Sequence, residues 1–115
     1  MKVIQIQNDQ KIAIKTLQGA RFIAVSQIVY IVAEDNYSKI VLSNQHSVLV
    51  SKTLKLVENQ LQFCGFIRCH KSYLVNIAFV NELCCNGISK LNLSNDTEIP
   101  VSRTGLKRIK EVMDF

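Results

Sequence analysis

The densest chemistry in the sequence lies at Arg68, His70, Lys71 and Ser72, inside the run Phe-Ile-Arg-Cys-His-Lys-Ser-Tyr-Leu-Val-Asn from Phe66 to Asn76. A guanidinium, an imidazole, an ammonium and a hydroxyl crowd together there. Phe66, Ile67, Cys69, Tyr73, Leu74 and Val75 supply apolar anchors on either side. Two further clusters are similar in make-up: Asn36-Tyr37-Ser38-Lys39, and Ser102-Arg103-Thr104 with Lys107. Each sets a long cation beside small hydroxyl or amide donors. An arginine fork can bond two acceptors on one guanine edge, whereas Lys, Ser, Tyr and backbone N–H groups suit phosphate oxygens. The plainer alternative is a set of solvated loops.

Catalysis has little to work with. His46 and His70 are the only histidines, so a nucleophile with a histidine base would need one of them, and Cys69-His70 is the tempting pair. Neighbours on a strand point to opposite faces, which keeps that thiol and imidazole apart. A metal site built from His70, Cys84, Cys85 and a carboxylate has no recognisable ligand spacing. Gly19, Gly65, Gly87 and Gly105 stand alone, so no glycine-rich phosphate loop occurs. The expectation is a protein that is no enzyme, with no metal and no cofactor. Cys64, Cys69, Cys84 and Cys85 match neither a zinc ribbon nor a redox pair and read as reduced, packed thiols.

The 115 residues fit one domain, residues 1–115, with a hydrophobic share of 48% that supports a core without staples. A formal charge of +5 favours an anionic partner, with nucleic acid ahead of a membrane surface because no long basic amphipathic helix is present. The start of the chain lacks a signal-peptide run, and no segment approaches the roughly 18 apolar residues of a membrane span. A cytoplasmic location is expected.

The elements that must position the three clusters are mostly strands. Residues 3–7 and 11–17 read as strands around a turn at Asn8-Asp9-Gln10, and Gln18-Gly19 breaks the run. Ile28-Val29-Tyr30-Ile31-Val32 is unbroken and β-branched, as for a strand covered on both faces at the centre of a sheet. The polar run Glu34 to Lys39 reads as a hairpin tip before a strand at Ile40-Val41-Leu42, and a second hairpin leads into Val48-Leu49-Val50. Thr53 is an N-cap for a short helix to Leu61 that lids the sheet. A helical turn near Asn76 to Ala78 precedes strands at Phe79 to Cys85 and Ser89 to Leu93 around Asn86-Gly87, a strong hairpin signal. Pro100 marks the edge or end of a strand at Thr97 to Ile99. Ser102 or Thr104 starts a closing helix with Leu106, Ile109, Val112 and Met113 on one face and Lys107, Arg108 and Lys110 opposite. The sum is a mainly β fold of about ten short antiparallel strands and two short helices.

Four blocks in this order, Ile-Val-Tyr-Ile-Val-Ala-Glu-Asp-Asn-Tyr-Ser (28–38), Thr-Leu (53–54), the 66–76 run and Ile-Pro-Val-Ser-Arg (99–103), resemble the LytTR family of DNA-binding domains. The resemblance covers roughly residues 5–112. It implies an elongated all-β domain of three small sheets, the output domain of bacterial two-component response regulators, reading double-stranded DNA with loops in successive major grooves. Carried over, Asn36 to Lys39 matches the first reading loop, with Tyr37 or Ser38 as reader. The second has Lys71 at the reading position, with His70 and Ser72 supporting it or touching phosphate. The Ser102-Arg103 pair matches the third, with Arg103 making a bidentate base contact. Lys52, Arg68, Lys71 and Lys107 would touch phosphates. The resemblance also implies two copies on a repeated site and a receiver domain that this chain does not carry. Rivals of other classes are a basic ligand-binding or protein-interaction module, and an RNA-binding protein, for which Tyr37 is the one aromatic near a polar loop.

Overall fold

The computed structural model describes residues 10–16 and 18–115. Its elements run β1 (Lys11–Thr16), β2 (Gly19–Ala24), β3 (Ile28–Glu34), β4 (Tyr37–Leu42), β5 (Ser47–Val50), α1 (Leu54–Gln60), β6 (Phe66–His70), β7 (Tyr73–Asn76), β8 (Val80–Cys84), β9 (Lys90–Leu93), β10 (Glu98–Pro100) and α2 (Arg103–Met113). The strand expected at residues 3–7, with Asn8 and Asp9 of its turn, lies outside the described residues. All pairing is antiparallel, in a hairpin β1-β2, a three-stranded sheet β10-β9-β8 and a five-stranded sheet β5-β4-β3-β7-β6.

β3 is the middle strand of the largest sheet, and its unbroken apolar run follows from cover on both faces. On one face, Ile28, Ile31, Ile40 and Leu74 meet Leu54, Val57 and Leu61 of the α1 segment and Ile12, Ile14 and Ile23 of the β1-β2 hairpin. On the other, Val29, Ile67, Cys69 and Val75 meet Leu91, Leu93 and Ile99 of the small sheet and Ile109 of α2. The ladder to β4 slips between Ile28 and Tyr30. That bulge lets Ile28 and Ile31, three positions apart, share one core.

Both helices start where their caps dictate. The Thr53 hydroxyl accepts the Leu56 N–H at 3.4 Å, and the Ser102 hydroxyl accepts the Gly105 N–H at 3.0 Å, so Ser102 and not Thr104 begins α2. The buried face of α2 is Gly105 and Ile109, with Leu106 half-buried. Val112 and Met113, expected on the inner face, are exposed.

The close docking of α2 has one cause. β6 bulges between Arg68 and His70, leaving Cys69 without a cross-strand partner in β7. Its carbonyl instead accepts the Ser102 N–H at 3.0 Å. Gly105 sits so near that a β-carbon there would lie 1.9 Å from the Cys69 oxygen. Cys69 itself is fully buried, with its Sγ toward the Tyr73 and Pro100 carbonyls. Burial pushes its thiol up from 9.0 to about 12. Packing does not extend to all four cysteines as the sequence implied: Cys64 and Cys84 are half-buried and Cys85 is exposed, the last because β8 ends at Cys84.

Two outcomes follow from this joint. Gly105→Ala, which would ordinarily stabilise a helix interior by about 1 kcal/mol, should instead lower the midpoint of thermal unfolding, because overpacking costs about 1–3 kcal/mol or more. A thiol whose folded pKa is raised contributes stability below pH 9.0 that is lost as pH climbs toward about 12. Denaturant titrations across that window should show wild-type stability falling more steeply than that of Cys69→Ala.

Candidate nucleic-acid interface

In the strand order β5-β4-β3-β7-β6, the ends of β3, β5 and β6 and the starts of β4 and β7 all fall at the same edge of the sheet. Three hydrogen bonds stitch that edge together. The Ala33 N–H donates to the Ser72 carbonyl at 2.9 Å, joining the β3-β4 and β6-β7 turns. The Ser38 hydroxyl donates to the Lys52 carbonyl at 2.7 Å, and the Ser102 N–H donates to Cys69. The three clusters, far apart along the chain, therefore converge, and Lys52 joins them.

The β3-β4 connection is shorter than the sequence implied. Only Asp35 and Asn36 lie between the strands, with Asp35 in the left-handed region at φ 56°. β4 already runs from Tyr37, so its alternation exposes Tyr37, buries Ser38 completely and leaves Lys39 half-exposed. Of the two reader candidates, Tyr37 faces solvent and Ser38 does not; the Ser38 hydroxyl anchors the β5-α1 connection instead. Lys39 lies 3.6 Å from Glu34 in an exposed ion pair of small worth.

Arg68, expected at a phosphate, is turned inward. Its Nη1 meets Glu58 Oε1 on α1 at 2.7 Å, its Nε donates to the His70 carbonyl at 3.0 Å, and its Nη2 donates to the Lys71 carbonyl. This fork clamps the two-residue turn Lys71-Ser72 to α1, and leaves Lys71 exposed at the tip. The His70 Nδ1 accepts the Ser72 N–H at 3.1 Å, and its ring stands edge-on to Tyr73, with centroids 5.7 Å apart. Ser102 is occupied as the α2 cap, while Arg103 and Lys107 project into solvent one helical turn apart. Lys55 and Arg108, which the sequence did not single out for contact, share a groove with His70, Lys71 and Thr104 of the third cluster. The i, i+4 spacing of Thr104 and Arg108, from the start of a helix whose cap belongs to the third cluster, was the available signal.

Among the described residues, Lys52, Lys55, Lys71, Arg103, Lys107 and Arg108 form no ion pair with a carboxylate. An edge of unneutralised cations beside amide and hydroxyl donors is suited to a polyanion.

A β domain with a cationic, donor-rich edge made of strand ends, tight turns and one helix start belongs to the class of nucleic-acid-binding modules. The profile of one family, the LytTr DNA-binding domain, matches residues 18–114, and the chain belongs to that family. Over 105 residues it is 31% identical to the sensory transduction protein LytT of Bacillus subtilis, covering 90% of this chain and 43% of that protein. Over 63 residues it is 40% identical to the transcriptional regulatory protein BtsR of Escherichia coli K12, covering 53% of this chain and 25% of that protein. The chain thus spans less than half the length of these relatives. The LytTr DNA-binding domain of a response regulator from Bacillus cereus shares the fold, with a TM-score of 0.76 and 22% identity over 91% of this chain and 97% of that one. The three-sheet, two-helix architecture is as the resemblance implied. Among the described residues, no helix is long and apolar enough to cross a membrane.

The Arg68 fork yields a direct test. Arg68→Lys keeps the charge but cannot reach Glu58 and two carbonyls at once. Amide exchange at Lys71 and Ser72 should accelerate, with a stability loss of about 1–3 kcal/mol in denaturant. Unchanged exchange at the turn would remove Arg68 from the clamp role.

Proposed function

We propose that the chain binds double-stranded DNA in a sequence-specific manner and regulates transcription as the output domain of a response regulator. The observation that carries this reading is the convergence on one sheet edge of Tyr37, Lys52, Lys71, Arg103 and Lys107, their cations unneutralised. In this reading the tips enter successive major grooves. Arg103 takes a guanine edge at two acceptors, Lys71 and Tyr37 read neighbouring bases with Asn36 beside them, and Lys52 and Lys107 hold phosphates. His70 and Ser72 steady or flank the Lys71 tip. Ser38, Arg68 and Ser102 act by position: Ser38 and Arg68 hold Lys52 and Lys71 through their backbone carbonyls, and Ser102 caps the helix that carries Arg103 and Lys107.

The full regulator would add a receiver domain, and two copies would occupy a repeated site. The basic ligand-binding module and the RNA reader compete with this proposal, and duplex retention separates them from it. Binding should weaken with log salt at a slope of about 0.9 per neutralised phosphate. With duplexes selected by the wild-type chain from a randomised pool, Arg103→Ala should cost about 1–3 kcal/mol on the selected sequence and narrow its preference over a scrambled one. Lys107→Ala should weaken both duplexes alike. Arg103→Ala with an intact preference would take Arg103 out of the reader role, and no duplex retention at low salt would sink the whole reading.

A further inference from the structure

The groove between α1, the β6-β7 turn and α2 is a concavity of about 500 Å³ lined by Lys55, Glu58, Arg68, His70, Lys71, Ser102, Thr104 and Arg108. We infer that it is a seat for a backbone phosphate of the bound duplex, held by Lys55 and Arg108. This deepens the DNA-binding reading and rests on it.

Position separates this groove from Arg103. Arg103 is exposed and lies outside its lining, whereas Lys55 and Arg108 both line it, with Lys71 of the β6-β7 turn beside them. A hollow of this kind admits a protruding group and not the floor of a DNA groove.

Charge fits an anion. The one carboxylate in the lining, Glu58, already faces the Arg68 guanidinium at 2.7 Å, so it leaves Lys55, Lys71 and Arg108 without a neutralising partner. Arg108 is also held in place, since its Nη1 donates to the Arg68 carbonyl at 3.0 Å and its other guanidinium donors remain available. A planar fork fixed at one nitrogen loses little freedom when it meets phosphate oxygens.

Two lesser donors converge on the same hollow. Because the His70 Nδ1 accepts the Ser72 N–H, the neutral ring carries its proton on Nε2 and can only donate from there. Thr104 also lines the hollow, on the turn of α2 before Arg108. An ammonium, a guanidinium, an imidazole N–H and a hydroxyl around one space form a set of donors for acceptor-only oxygens.

The test uses the whole chain with two duplexes, one selected from a random pool by the wild type and one scrambled, and measures affinity by fluorescence anisotropy across a salt series. Lys55→Ala and Arg108→Ala should each weaken both duplexes by the same factor, leave the preference unchanged, and lower the salt slope by about 0.9. Lys11→Ala, which removes the same charge near the opposite end of the central sheet, should leave the slope as it is. Arg108→Ala also removes the bond to the Arg68 carbonyl, so Lys55→Ala, on the exposed surface of α1, is the deciding variant. If the wild type binds and Lys55→Ala shows full affinity and an unchanged slope, the phosphate seat is wrong while the DNA-binding reading stands. If the wild type binds neither duplex, both fall together.

Discussion

The contact between the Cys69 carbonyl and the start of α2 is the constraint on which the rest of this molecule depends. That one oxygen accepts the Ser102 N–H, and the α2 backbone passes so near it that only glycine fits at position 105. The bulge in β6 leaves Cys69 unpaired in the ladder, and burial of its thiol in the second core keeps the bulge in place. Arg103 follows the cap directly, so the start of α2 is set against β6 by the main chain, while the Arg68 fork holds the Lys71 turn beside it. A helix standing even slightly further off would leave its cations out of line with the sheet edge.

The five-stranded sheet supplies the rigidity behind that edge. Covered on both faces, it has two separate cores, one filled by α1 and the β1-β2 hairpin, the other by the small sheet and α2. Both helices therefore serve as covers whose first turns also reach the cationic edge. The Arg68 fork joins the two halves, linking Glu58 of α1 to the β6-β7 turn, while the carbonyl of the same residue receives Arg108 from α2. Cations otherwise prone to wander on flexible stems are thus carried on a frame with little play.

Much of the fold was legible in the sequence because its signals are local. The β-branched run at 28–32, the Thr53 cap, Asn86-Gly87 and Pro100 each name their own structure within a few residues. The convergence of the clusters followed from the family resemblance, and the hydrogen bonds at the edge give it a physical basis. What stayed hidden was non-local. Ser38 looked like a loop residue because nothing nearby shows that β4 begins at Tyr37, and its acceptor is 14 residues away. Arg68 looked free because its partner Glu58 lies on another element and its other acceptors are carbonyls. Gly105 was passed over as isolated, although a glycine inside an amphipathic helix is a known mark of close packing. The inner face of α2 was misjudged at Val112 and Met113 because periodicity cannot say how far along its length a helix remains covered.

The scaffold of the edge is built largely from main-chain acceptors: the carbonyls of Lys52, His70, Lys71, Cys69 and Ser72 receive the bonds that hold it. Asn36, Tyr37, Lys71 and Arg103 contribute their side chains to none of those bonds. In the proposed DNA-binding reading, such a division would let the residues at these positions change without disturbing the frame that displays them. On that reading, a lineage using this domain would drift from one operator to another by single substitutions at the tips, with the scaffold unchanged.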